Sequence, residues 1–263
     1  MNKTYIYRAF TTLVAVLALW PFGVSAQTTR GDFNYDGVTS ISDLTFLIDY
    51  LLTGQMPEQP MDLQRDTVTV NGVPFVMVHV DGGSYSPSEG VTVTVDDFSI
   101  GKTEVTRELW KAVMGGTATS NLQLPVNGKS WNECQEFITR LNELTGMNFR
   151  LPKDREWEFA ARGGNRSKGY IYAGGNHPRL VAWYSGNGGS GLHPVAQLAC
   201  NELGLYDMSG NVLEWTELVP DANGMAYYRG GDVSHAVSWC EISFRGKYII
   251  DQGGGNSGFR LAL

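Results

Sequence analysis

The sequence predicts a mixed α+β domain, irregular and rich in loops, behind a small N-terminal helical module. Three observations lead there. Thirty-two glycines in 263 residues, beside 7 Trp and 12 Tyr, are spread over many short turns, and glycine supplies the φ > 0 positions that tight turns need. Short runs of alternating valines between Asp66 and Val95 have the period of half-buried strands. Three helices with legible ends follow between Thr106 and Gly164. At 42% apolar and 18% charged, the chain is not of a disordered, collagenous or polytopic membrane class. A net charge of -7 with no basic run argues against a nucleic-acid surface and suits a soluble protein or a calcium binder.

Residues 1–26 read as a signal peptide: basic Lys3 and Arg8, an apolar run from Leu13 to Trp20, then Pro21 and Val24-Ser25-Ala26 before Gln27. The apolar run is shorter than the roughly 18 to 20 residues of a spanning helix. The expectation is a secreted protein, extracellular or periplasmic, with no membrane span after cleavage. Cys134, Cys200 and Cys240 are an odd number for an oxidising compartment, so at most one internal disulfide is expected and no disulfide scaffold.

Residues 27–54 carry a cation loop and a helix. With Asp32 as position 1, oxygen ligands fall at Asp32, Asn34, Asp36, Ser40 and Asp43, with the Val38 carbonyl at position 7 and Gly37 at the sharp turn. Six to eight oxygens around a glycine-pinned loop are what Ca2+ requires. Leu44, Leu47, Ile48, Leu51 and Leu52 then repeat at helical spacing, an apolar stripe that must cover something. The stretch resembles a dockerin repeat, the EF-hand-like calcium module of extracellular bacterial assemblies. Cellulosomal dockerins carry two repeats and this chain has one, so its partner is expected to be cohesin-like or its own chain. Residues 55–65, with Pro57 and Pro60 and no periodicity, form the linker.

The main domain spans residues 66–263. Val68 and Val70 alternate with polar residues, Phe75 to Val80 is an apolar run, and Val91, Val93 and Val95 alternate with Thr. Thr106 caps a helix over Arg107 to Met114 that stops at Gly115. Ser130 and Glu133 form a capping box for a second, which Gly146 ends and which buries Phe137, Ile138, Leu141, Leu144 and Cys134 on one face. Pro152 at its first position opens a third, which runs through Trp157 and Ala161 to Gly163-Gly164. Turns and short strands fill the rest.

Several blocks occur in a telling order: Phe75 to Gly83, Gly101-Lys102-Thr103-Glu104-Val105-Thr106, Arg150-Leu151-Pro152, Glu156 to Gly164, Gly204 to Val212, Arg229-Gly230-Gly231 and Gly258-Phe259-Arg260-Leu261. Together they resemble the sulfatase-modifying factor, or formylglycine-generating enzyme, family. The resemblance implies a variant of the C-type lectin-like fold. Active members oxidise a sulfatase cysteine to formylglycine with copper held by two cysteines, four and nine residues after the second glycine of the Gly-Gly pair. Here His235 and Cys240 stand at those positions, Asp232 replaces the serine after the glycines, and Leu213 replaces the Trp of the Gly-Asn-x-Trp-Glu-Trp block. Two soft thiolates suit Cu(I), and this chain offers one. Copper and an oxidase activity are therefore expected only if Cys240 and His235 suffice. The resemblance also implies a second Ca2+ site at Asp207, Gly210, Val212 and Glu214.

No His-Glu-x-x-His, Cys-x-x-Cys, Gly-x-Ser-x-Gly or phosphate-cradling Gly-x-x-x-x-Gly-Lys occurs. The expectation is thus a secreted, calcium-stabilised, non-catalytic domain that recognises a protein or glycan through Asp232, His235, Trp239, Phe244, Lys247 and Tyr248. Two rivals stand beside it. One is an oxidase of the formylglycine type. The other rests on the C-terminal Gly-Phe-Arg-Leu and on Asp232-Val233-Ser234-His235, which look like the variable region of retroelement-diversified C-type lectin-fold receptors.

Overall fold

A computed structural model describes residues 65–88, 90–116, 120–189, 191–217 and 223–263. The signal peptide, the calcium loop of Asp32, Asn34, Asp36, Val38, Ser40 and Asp43, and the linker up to residue 64 lie outside the described residues.

Strands β1 (Arg65–Val70) and β2 (Val73–Val80) form a hairpin. Its two-residue turn is Asn71-Gly72, both at positive φ, the conformation that matches the twist of paired strands. β2 is central, flanked by β1 and by β5 (Phe98–Gly101). It is packed on both faces: Met77 joins the core under the first two helices, whereas Val78 and Val80 join the core under the third. Burial on both faces is why Phe75 to Val78 reads as an unbroken apolar run rather than an alternation. Between them β3 (Gly83–Ser88) and β4 (Val91–Val95) make a separate hairpin; β3 and β5 carry too little apolar pattern to be seen in the sequence.

Helix α1 (Arg107–Met114) begins where the Thr106 side chain accepts from the Leu109 amide at 3.2 Å. In α2 (Trp131–Thr145) the capping box is complete, Ser130 Oγ accepting from the Glu133 amide and Glu133 accepting from the Ser130 amide. Cys134, Phe137, Ile138 and Leu141 are buried as expected, but Leu144 is exposed, because the packed stripe ends one turn before the helix does. Burial pushes the Cys134 thiol well above its usual range. Helix α3 (Asp154–Ala161) starts later than Pro152. Glu156, held by Arg150, accepts from the Lys153 amide at 2.9 Å and so places the first turn beyond the proline.

The second half is loops around a four-stranded sheet in the order β8 (Gly246–Ile249), β7 (Met225–Arg229), β6 (Leu213–Trp215), β9 (Ser257–Gly258), antiparallel except for β6 with β9. A short helix, α4 (Pro178–Val181), and a 3₁₀ turn at Val237–Cys240 punctuate it. The last residues close the fold. Gly101 donates to the Leu261 carbonyl at 2.8 Å, Ala262 and Arg150 exchange backbone bonds, and Leu263 bonds Ser99, so the C-terminus is zipped to the first sheet. Among the described residues no helix is long and apolar enough to cross a membrane.

Candidate functional site

Six residues singled out in the last third of the chain, Asp232, His235, Trp239, Phe244, Lys247 and Tyr248, come together around one loop and the sheet beside it. Arg229, the final residue of β7, is the anchor. Its guanidinium takes both oxygens of Asp154 at 2.8 and 2.9 Å and Glu158 at 2.8 Å, and donates to the Ile242 and Phe244 carbonyls. Burial opposes its charge, but the two carboxylates outweigh burial and raise its pKa. The loop is thereby bolted to α3. At Gly231, φ is +71° and a Cβ would stand 2.6 Å from the Trp239 carbonyl, so only glycine lets the loop turn against the 3₁₀ segment.

Asp232 follows and is 1% exposed. Its carboxylate accepts from the amides of Ser234 and His235 and binds His235 Nδ1 at 2.9 Å. The His235 ring is also stacked on Trp239, centroids 3.9 Å apart and planes 14° from parallel, and Trp239 on Phe244 at 4.7 Å. Phe244 in turn meets Tyr228, and Tyr228 meets Trp215 edge-on. His235, Trp239, Phe244 and Tyr228 are half-buried. The result is a rigid aromatic row with its edge in solvent. Lys247 and Tyr248 are exposed on β8, and Arg245 and Lys247 both stand over the Tyr227 ring, at 3.5 and 4.6 Å. Tyr227, Tyr228 and Arg245 were missed in the sequence; the alternation Met225 to Arg229 was the available signal.

Cys240 is not part of that surface. It is 0% exposed and packs with Tyr172, Val181 and Ala182. Burial, then the neighbouring Asp232 charge, push its thiol up to about 12. Held so, the thiol is protonated at neutral pH, and a protonated thiol is a poor nucleophile. The three cysteines are free in the structure.

The Asp207 to Glu214 block is a buried charge cluster. Asp207 and Asn211 adopt positive φ, which their short polar side chains tolerate. Gly210 is required where it is because a Cβ would collide with the Trp183 carbonyl. Arg260, fully buried, donates to Glu214 Oε2 and Oε1 at 2.6 Å each, and Trp157 Nε1 donates to Glu214 at 2.6 Å. Burial disfavours the Arg260 charge and Glu214 restores it, raising its pKa. Asp207 accepts from the Ala196 amide, and burial pushes its carboxyl up to about 6. Glu104 accepts from Asn211 and from the Val212 amide; burial, Asp207 and Glu214 hold its carboxyl well above the usual range. Both oxygens of Glu214 accept hydrogen bonds, from Arg260 and Trp157. A cation at Asp207, Gly210 and Val212 would compete with Arg260 for it. Among the described residues no three His, Cys, Asp or Glu side chains are grouped to hold a metal ion. The roles of Glu104, Trp157 and Arg260 went unread, although each lies in one of the recognised blocks.

Residues 53–263 match the family described as the sulfatase-modifying factor enzyme 1-like domain. Over 248 aligned residues the chain is 31% identical to a protein named chaperone protein LppX of Paenibacillus barcinonensis, covering 70% of this chain and 88% of that one. It is 33% identical to inactive C-alpha-formylglycine-generating enzyme 2 of Mus musculus, over 60% of this chain and 56% of that protein; it spans a little over half of that relative's length. Among solved structures, Treponema denticola variable protein 1 superimposes with a TM-score of 0.67 at 26% identity, covering 76% of this chain and 98% of that one. This likeness supports the C-type lectin-like fold.

Proposed function

The chain belongs to the sulfatase-modifying factor enzyme 1-like domain family, and from that premise we propose that it is a non-catalytic recognition module whose ligand is a protein. The observation that carries the reading is the state of the loop after Gly231. Where active relatives are expected to hold copper between two thiolates, this chain has a buried, protonated Cys240 and a His235 already locked to Asp232. Beside it stands a fixed aromatic row. Rigid half-exposed aromatic rings lose little entropy on binding and are good contact anchors. The names of two relatives, a chaperone and an inactive enzyme, support a protein ligand and absent chemistry. The leader of residues 1–26 supports secretion, and the loop of Asp32 to Asp43 supports calcium binding at the N-terminus.

The test has two arms. A sulfatase-type cysteine peptide is incubated with copper-loaded protein and with Cys240→Ser; no aldehyde forms in either, and an aldehyde made by the wild type alone would refute the reading. A displayed peptide library and a glycan array are then probed with wild type and Trp239→Ala. Peptides enriched by the wild type and lost by the variant support it; enrichment of glycans only would move the ligand class.

The likeness to a variable protein supports a second reading, that residues between Gly231 and Gly258 are diversified from strain to strain. Coding DNA from related strains decides it. Changes scattered at adenine-derived positions in that stretch support it, and uniform sequence refutes it.

A further inference from the structure

The pairing of β7 with β8 gives the outer part of their sheet two different faces. Ala226 stands opposite Tyr248 and Tyr228 opposite Gly246, whereas Met225 stands opposite Ile249 and Tyr227 opposite Lys247. Paired residues share a face and successive ones alternate. Ala226 and Tyr228 lie against the core, so Met225, Tyr227, Lys247 and Ile249 share the outward face. A sheet packed on one side is expected to be polar on the other. This one instead sets Met225 beside Ile249, which is 43% exposed, with a half-buried tyrosine next in line.

Charge on the same face points to the occupant. The Arg245 guanidinium lies over the Tyr227 ring at 3.5 Å, and Lys247 over the same ring at 4.6 Å. Asp154 holds Arg245 Nε from the side at 3.2 Å, and the side chain is still 41% exposed. Among the described residues no hydrogen bond takes its two terminal nitrogens. Three guanidiniums, those of Arg162, Arg229 and Arg245, share the two carboxylates Asp154 and Glu158, a local cationic excess in a chain of net charge -7. A guanidinium stacked on a ring keeps its planar fork in position for a carboxylate. The Met225 and Ile249 pair lies two residues farther along β7 from Tyr227, roughly 7 Å on at the rise of a strand, which is the distance between side chains i and i+2 of an extended peptide.

We infer that this outward face is a second interaction surface, and that its partner is an acidic peptide segment in which a carboxylate seats on Arg245 and an apolar side chain two residues away covers Met225 and Ile249. A sulfated polysaccharide would meet the charge and leave the apolar pair bare, so the surface fits a peptide. It is separate from the aromatic row, which runs from Tyr228 on the opposite face to Phe244, Trp239 and His235. The inference therefore stands apart from the reading of that row.

Selection of a displayed random-peptide library on the full chain, in parallel with Arg245→Gln, Ile249→Ser and Trp239→Ala, tests this. The expected result is a pool of peptides with Asp or Glu two residues from an apolar side chain, kept by Trp239→Ala and lost by the other two variants. A synthetic peptide from that pool binds Arg245→Gln about tenfold more weakly than wild type, the loss of one charged hydrogen bond, and binds wild type more weakly as salt is raised. Thermal melts report whether Arg245→Gln stays folded; should it not, Ile249→Ser, which lies outside the ion pairs, carries the comparison. Absence of an acidic pool, or an acidic pool kept by both outward-face variants, would overturn the inference. A pool lost by Trp239→Ala would overturn it too and leave the aromatic row as the site, and capture of heparin with no peptide selected would replace the peptide by a polysaccharide.

Discussion

Replacing Glu214 by Gln removes one charge from the most buried ion pair among the described residues while leaving its volume nearly unchanged. Glu214 and Arg260 are each 0% exposed, and the carboxylate takes three hydrogen bonds of 2.6 Å from Arg260 and Trp157. In the variant one oxygen becomes an amide that can only present N–H to those donors. Arg260 keeps its bonds to the Gly101 and Tyr206 carbonyls but loses its counter-charge. Breaking a buried pair from one side costs about 3–5 kcal/mol, because the surviving charge stays desolvated. Against a total stability of about 5–15 kcal/mol this is a large share, and for a domain of this size it lowers Tm by about 6–20 °C. Urea unfolding followed by Trp fluorescence, in chelator and in calcium, measures it, with Glu214→Leu/Arg260→Met as the control that removes both charges and recovers much of the loss. The reasoning fails if Glu214→Gln costs less than about 1 kcal/mol, or if the loss exists only in calcium, which would make Glu214 a cation ligand.

Cys240, with its thiol near 12 and no exposure, is expected to resist iodoacetamide at pH 8 in the folded protein and to react fully in guanidinium; mass spectrometry showing fast labelling of the native state would contradict its burial. Trp239→Ala is expected to lower stability by about 1–3 kcal/mol, less than a fully buried aromatic, and to abolish ligand capture; unchanged capture would displace the site from the aromatic row. At Glu156, burial raises the carboxyl pKa, but hydrogen bonds from Arg150 and the Lys153 amide outweigh it and hold it below the usual 4.5. Its stabilisation is therefore present above the unfolded pKa and lost as pH falls through the lowered folded value. The gap between wild type and Glu156→Gln, about 1–3 kcal/mol at pH 7, is expected to shrink below pH ~4.5, and thermal melts in which it widened with acid would reverse the assignment. Gly210→Ala is expected to unfold the loop or cost at least about 1–2 kcal/mol, because φ is +86° and the Trp183 carbonyl fills the space; a melt like wild type would refute the close approach.

Local signals were sufficient wherever the physics is local. Ser130 and Glu133 satisfy each other's backbone within one turn, so the α2 start is written in four residues; Asn71-Gly72, which closes the first hairpin, is an equally local signal that went unread. The order of the blocks carried the family, and several of them hold glycines at positive φ or against neighbouring backbone, as at Gly163, Gly210 and Gly231. Legibility fell where partners are distant. The start of α3 was misplaced because Pro152 is a good first helical residue, yet Glu156 and Arg150 place the turn beyond it. Leu144 fits the helical period of α2 but has nothing packed above it.

By itself the sequence determined the first two helices, the apolar strands of the first half, the family blocks, the missing second thiol and the candidate row from Asp232 to Tyr248. Only the tertiary structure decided which of those residues face solvent and which are consumed inside. Asp232 and Cys240 are buried, whereas His235 and Trp239 keep an edge open. Glu214 serves Arg260, 46 residues away, and Arg229 serves Asp154, 75 residues away. Burial and long-range charge pairing depend on how separate segments pack against one another, and a pattern read along one stretch of chain carries no information about the stretch that comes to lie across it.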